Sequence, residues 1–142
     1  MLIELLKAKI HRATVTATEL DYVGSVTIDS DLLDAAGMLE YEKILAVNVT
    51  SGTRFESYCI RGTAGSGIVC VNGAAARLAA PGDRLIVMAF CSLTPEEASG
   101  WKPRVVFVDA GNAPVRVDSE ESHGDRFVDG RLVRREDGGG GA

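Results

Sequence analysis

Apolar residues fall in short blocks bounded by glycine, proline, asparagine or serine, and few blocks repeat with the 3.6-residue period of a helix. The pattern predicts a β-rich chain. Residues 2–18 hold the β-branched run Thr14-Val15-Thr16 and predict a strand, although their first few residues suit a helix start equally well. Val26-Thr27-Ile28-Asp29 predicts a second strand. Ser30 or Asp31 can then cap a short helix that runs through Ala36 and stops at Gly37. Lys43 to Thr50 and Phe55 to Ile60 flank the Ser51-Gly52 turn and predict a hairpin. Gly62 to Gly67 reads as a loop, and Ile68-Val69-Cys70-Val71 as a buried strand. Asn72 to Ala80 is small and alanine-rich, which suits a helix with Asn72 near its start. After the Pro81-Gly82-Asp83 turn, Leu85 to Cys91 is nearly all apolar, so both of its faces are expected to be buried. Thr94 and Pro95 begin a helix as cap and first helical residue, and Val105-Val106-Phe107-Val108 predicts the last strand.

Strands thus outnumber helices, and all are brief. The expected fold is mainly β, a small closed barrel with a few short helices, because closure removes exposed strand edges. Near Asp118 the composition turns to charges and glycine. Residues 1–117 are therefore read as one domain, and 118–142 as a disordered charged, glycine-rich tail. The formal net charge of −5 counts against nucleic acid or an anionic membrane as partner, but leaves a small acidic substrate open. With no leader-like segment and no membrane-length apolar run, the protein is expected to be soluble and cytoplasmic. Cys59, Cys70 and Cys91 are odd in number and widely spaced, which suits small buried residues in a reducing compartment better than disulfides or metal ligands. Only His11 and His123 are present, with no Walker loop, GxSxG or HExxH pattern. A catalytic triad or a histidine-rich metal site has little support.

The segment Leu20-Asp21-Tyr22-Val23-Gly24-Ser25-Val26 is more informative. An arbitrary Gly-Ser pair is usually just a turn. In this order it also permits chemistry, since glycine tolerates a strained backbone and the serine hydroxyl can attack the preceding carbonyl. That attack converts the peptide to an ester. Elimination leaves a dehydroalanine, and hydrolysis gives a pyruvoyl group.

Lys9-Ile10-His11-Arg12, Tyr22-Val23-Gly24-Ser25, Asp34-Ala35-Ala36-Gly37, Arg54-Phe55, Tyr58 and Val71-Asn72-Gly73-Ala74-Ala75-Ala76 occur in that order. Over about residues 1–110 the set resembles the pyruvoyl-dependent aspartate 1-decarboxylase family, which makes β-alanine for pantothenate and coenzyme A. The resemblance implies a double-psi β-barrel, self-cleavage between Gly24 and Ser25, and a covalent pyruvoyl cofactor made from Ser25, with neither metal nor pyridoxal phosphate. It implies a Schiff base to L-aspartate, and a homotetramer with active sites between subunits. By the same resemblance Tyr58 returns a proton after CO2 leaves, and Arg54 with Lys9 binds substrate carboxylate. Ser57, Gly73, Ala74 and Ala75 contact substrate, and His11, Tyr22 and Asn72 support the site or its processing. Ser57 stands where the family usually has threonine; the hydroxyl is kept and the rotamer-restricting methyl is lost. The alternative reading is an uncleaved barrel that serves as a binding or regulatory module.

Overall fold

The structure, a computed structural model, describes residues 1–128 and 131–134. It is mainly β. The strands are β1 (Ile3–Thr14), β2 (Ala17–Glu19), β3 (Val26–Asp29), β4 (Lys43–Asn48), β5 (Arg54–Gly62), β6 (Val69–Asn72), β7 (Arg84–Leu93), β8 (Arg104–Val108), β9 (Pro114–Asp118), β10 (Arg126–Val128) and β11 (Arg131–Val133). The helices are short: α1 (Ser30–Ala36), α2 (Pro95–Ala98) and a 3-10 helix over Gly73–Leu78. The N-terminal residues that suited a helix start are strand instead.

Nine strands form one sheet in the order β2-β6-β3-β5-β4-β7-β1-β8-β9. Val69 and Val71 of β6 and Val106 and Val108 of β8 lie towards opposite ends of that order, yet share one apolar core with Ile10, Ile28, Ile44 and Val87. The sheet therefore curls around its own face. No ladder joins β2 to β9 among the described residues. Two register breaks in β1, at Leu6/Ala8 and Ile10/Ala13, bend that strand, and Arg12 takes a positive φ of 58° at the second.

Side chains alternate in and out along each strand. On β1, Ala8 and Ile10 are buried while Lys9 and His11 share the outer face. On β7, Leu85, Val87 and Ala89 are buried, but Phe90 is 41% exposed. The expectation that both faces of this segment are buried is thus corrected. It pairs antiparallel with both β1 and β4, and such sheets commonly bury one face only.

Helix α1 is too short to persist alone. It is held by fully burying Leu32 and Leu33, each worth roughly 1.5–3 kcal/mol. Its cap is Asp29 rather than Ser30 or Asp31. The Asp29 carboxylate accepts from the backbone N–H of Asp31 (2.8 Å), Gly65 (3.1 Å) and Gly67 (2.7 Å). Ser30 instead donates its hydroxyl to the Gly62 carbonyl at 2.6 Å. Gly37 ends the helix at φ 69°, and α2 has the expected Thr94 cap and Pro95 start, with Glu97 closing a capping box.

Val105–Val108 is not the last strand. β9 pairs with β8, and β10 and β11 form a two-stranded ribbon. The described residues beyond 118 belong to the segment read as a charged tail. There Phe127 stacks on Phe107 at 4.8 Å and meets the edge of His11 at 5.8 Å. Glu121 pairs with Lys9 at 2.8 Å, and Arg134 bridges Asp118 and Asp125. A charged composition conceals these few anchors. The tetraglycine run lies outside the described residues.

Replacing Asp29 by alanine leaves three backbone donors without their partner. Asp29→Ala is expected to lose about 2–4 kcal/mol in urea unfolding. A loss below about 0.5 kcal/mol would contradict the clasp.

Candidate functional site

The antiparallel ladder between β3 and β6 pairs Val26 with Val71, Thr27 with Cys70 and Ile28 with Val69. One more rung continues past the end of β3, where the Asn72 N–H donates to the Ser25 carbonyl at 2.9 Å. Val26, Ile28, Val69 and Val71 point into the core. By alternation Ser25 and Thr27 on one side, and Cys70 and Asn72 on the other, share the opposite face. The Asn72 side chain donates through Nδ2 to Ser25 Oγ (3.3 Å) and to Thr27 Oγ1 (3.0 Å). Cys70 Sγ donates to Asn72 Oδ1 at 3.2 Å. Asn72 stands at the start of the 3-10 helix, as expected, but its side chain makes no capping bond; its amide is engaged by Ser25 and Thr27 across the ladder and by Cys70 of its own strand.

Ser25 is 3% exposed and has φ 94°, a region that L residues avoid at a cost of about 1–3 kcal/mol. The strain expected at glycine therefore sits on the serine. Gly24 has no positive φ, and a Cβ built on it would meet nothing within 4 Å. Gly73 is the glycine that this turn requires. Its φ is 69°, and a Cβ there would lie 2.8 Å from Gly24 Cα and 3.2 Å from the Tyr22 carbonyl oxygen. The Tyr22–Gly24 turn thus rests on the backbone at the start of the Gly73–Leu78 helix. Ala74 is exposed and Ala75 half-buried beside it, and the Tyr22 ring is exposed.

On its other side β3 runs parallel to β5, with Val26 level with Cys59. Carrying that register back one residue sets Ser25 beside Tyr58, about 5 Å away between backbones and on the same outer face. The Tyr58 ring is 37% exposed and lies 6.4 Å from the ring of Tyr41. Ser57 points the other way and is half-buried. Arg54 does share the face of Tyr58, but four residues along a strand span roughly 13 Å. Lys9 is on β1, four strands from β3 in the sheet order, and its side chain pairs with Glu121. The described residues of one chain bring together Ser25, Asn72, Gly73, Tyr22, Gly24 and Tyr58. They do not bring Arg54, Lys9 or His11 to Ser25.

Lys9 and His11 lie instead under the ribbon, bordering a cavity of about 100 Å³ with Phe107, Glu121, Arg126 and Phe127. His11 lies edge-to-face beside the stacked pair of Phe107 and Phe127, and its Nδ1 is buried without a hydrogen-bond partner. Burial, then the charges of Lys9 and Arg12, lower its pKa from 6.5 to about 4 despite Glu121. Among the described residues no cluster of three or more His, Cys, Asp or Glu side chains could hold a metal ion, and no helix is long and apolar enough to cross a membrane.

Sequence reasoning missed Thr27 and Cys70. The signal was available: each lies two residues from a named site residue on a strand, and so shares its face.

Ser25 is thus a buried, strained serine that follows the Tyr22–Gly24 turn and carries an asparagine amide on its hydroxyl. The profile described as "Aspartate decarboxylase" matches residues 1–115. Aspartate 1-decarboxylase of Clostridium acetobutylicum is 56% identical over 124 residues, covering 87% of this chain and 98% of that protein. The enzyme of the same name from Caldicellulosiruptor bescii is 57% identical over 123 residues, covering 87% and 96%. That of Campylobacter jejuni strain RM1221 is 54% identical over 127 residues, covering 89% and 100%. The chain belongs to the aspartate decarboxylase family and is accordingly an enzyme.

The depressed His11 pKa has a signed consequence. Between 6.5 and about 4 the unfolded chain binds a proton that the folded chain refuses. This contribution to stability is complete above 6.5 and is lost as pH falls towards 4. The melting temperature of the wild type should therefore fall more over that interval than that of His11→Leu, which cannot titrate. Equal falls would contradict the buried neutral imidazole.

Proposed function

We propose that the chain decarboxylates L-aspartate to β-alanine and CO2, using a pyruvoyl group that it makes from Ser25 by cutting itself between Gly24 and Ser25. The observation that carries this reading is the buried Ser25 at φ 94°, fixed by Asn72 through both backbone and side chain. Ser25 Oγ attacks the Gly24 carbonyl carbon, and the C–N bond gives way to an ester with a free amine on residue 25. Loss of the residue-25 α-proton breaks Cβ–Oγ, so Oγ departs as one oxygen of the Gly24 carboxylate. Water then replaces the resulting amine, released as ammonia, to leave a ketone. Strain favours this course, because the trigonal carbon that replaces Cα has no left-handed penalty.

The residues at hand fit such a group. Gly73 keeps the backbone close, the small side chains of Ala74 and Ala75 would let a ligand approach the backbone beside it, and Tyr58 lies one strand from residue 25. The ketone supplies an electron sink for a substrate amine. Tyr58 holds the proton that returns to the carbon left by CO2. Ser57 is assigned a substrate contact from the family pattern, although it faces away from Tyr58 here. Arg54 is the fork for the carboxylate that survives in β-alanine, since a cation on the departing carboxylate would favour the ground state. Lys9 is the supporting charge. The distance of both from Ser25 within one chain supports a homotetramer with active sites between subunits, in which a neighbouring copy supplies the cations. His11 and Tyr22 support the site's walls. The setting is a reducing cytoplasm, and the product serves pantothenate and coenzyme A synthesis. Neither pyridoxal phosphate nor metal enters the scheme.

Ser25→Ala should leave the chain uncut and without decarboxylase activity. Activity in an uncut Ser25→Ala protein would refute the mechanism. Tyr58→Phe deletes the only proton that this ring can donate, so it should cut normally while kcat falls by roughly 10²–10⁴-fold. An unchanged kcat would remove Tyr58 from the role.

A further inference from the structure

The Asn72 amide has one acceptor and two donors, and each has a partner. Oδ1 accepts from Cys70, one Nδ2 proton goes to Thr27 Oγ1 and the other to Ser25 Oγ. Thr27 and Cys70 are direct cross-strand neighbours, so the pair brackets the amide from two rungs below the serine, on the same face. We propose that Thr27 and Cys70 are positioning residues for self-cleavage: they fix the Asn72 carboxamide so that its N–H, and not its oxygen, faces Ser25 Oγ. The inference rests on the self-cleavage reading above.

Hydroxyl oxygens accept or donate, so Thr27 and Ser25 alone would tolerate either orientation of the amide. The thiol breaks the tie, because sulfur is a poor acceptor and an amide nitrogen facing it would lose a bond. Burial, with Glu19 adding to it, pushes the Cys70 thiol up from its ordinary value and keeps it S–H. The orientation matters at the elimination step. As Cβ–Oγ breaks, negative charge grows on Oγ while it becomes part of the Gly24 carboxylate. An N–H aimed at Oγ stabilises that charge without reorganising, and a carbonyl oxygen in its place would repel it.

The test follows freshly made precursor by intact mass for the wild type, Cys70→Ala, Cys70→Ser, Thr27→Val and Thr27→Ser. Hydroxylamine is added to aliquots to open any ester. Cys70→Ala and Thr27→Val should each slow the formation of cut product by roughly two- to tenfold, the range of one hydrogen bond. Both should accumulate an ester that hydroxylamine opens to a fragment beginning with an intact serine. Thr27→Ser retains the acceptor and should cut at close to the wild-type rate, whereas Cys70→Ser keeps a donor that also accepts, so it should cut at a rate between those of the wild type and Cys70→Ala. In an Asn72→Ala background, Cys70→Ala should add no further slowing. Wild-type cutting rates in both Cys70→Ala and Thr27→Val would overturn the proposal, as would lower melting temperatures with unchanged cutting. Should Cys70→Ala fail to fold, Thr27→Val, close in shape to the native residue, decides alone. A wild-type chain that never cuts would sink the self-cleavage reading itself. A wild type that cuts alongside indifferent variants sinks only the positioning roles.

Discussion

The hydrogen bond from the Asn72 N–H to the Ser25 carbonyl, 2.9 Å long, is the rung on which the site depends. It extends the β3–β6 ladder one residue past the end of β3 and so ties Ser25 to the sheet. The Tyr22–Gly24 turn before it is pressed against Gly73, where a Cβ would lie 2.8 Å from Gly24 Cα. With its carbonyl held on one side and its N-terminal neighbour on the other, Ser25 takes φ 94°. The energy that sustains this conformation comes from the core beneath, where Val26, Ile28, Val69 and Val71 are almost wholly buried. A few kcal/mol of local strain is small against the burial of four β-branched side chains at about 1.5–3 kcal/mol each.

The same sheet bears on the proposal that active sites lie between subunits. Alternation gives Lys9, Arg54, Tyr58 and Ser25 a common outer face, but strand order and register keep the two cations well apart from the serine. The outer face also carries Phe90, 41% exposed. Lys9 is meanwhile neutralised by Glu121 within its own chain.

Much of this was legible in the sequence. Val26–Asp29 and the stop at Gly37 follow from local chemistry, since β-branched residues favour strands and an αL position favours glycine. The ordered residues from Lys9 to Ala76 pointed to the family before any geometry was known. What failed depended on distant partners. Asp29 caps α1 because Gly65 and Gly67 also need its carboxylate, which no local pattern shows. Asn72 resembles a helix cap in sequence, but its amide is spent on Ser25 and Thr27 across the ladder and on Cys70 of its own strand. Leu85 to Cys91 looks buried on both faces because composition cannot reveal which side an antiparallel strand leaves uncovered. The strain belongs to Ser25 and not to Gly24 for the same reason: φ is set by tertiary contacts on either side of the turn.

The most direct test of the account is the denaturing mass spectrum of the purified wild-type chain. The account predicts two fragments, residues 1–24 and 25–142, with the second lighter by one ammonia than a fragment beginning with serine. A single uncut chain, or a second fragment with an intact N-terminal serine after full processing, would contradict it.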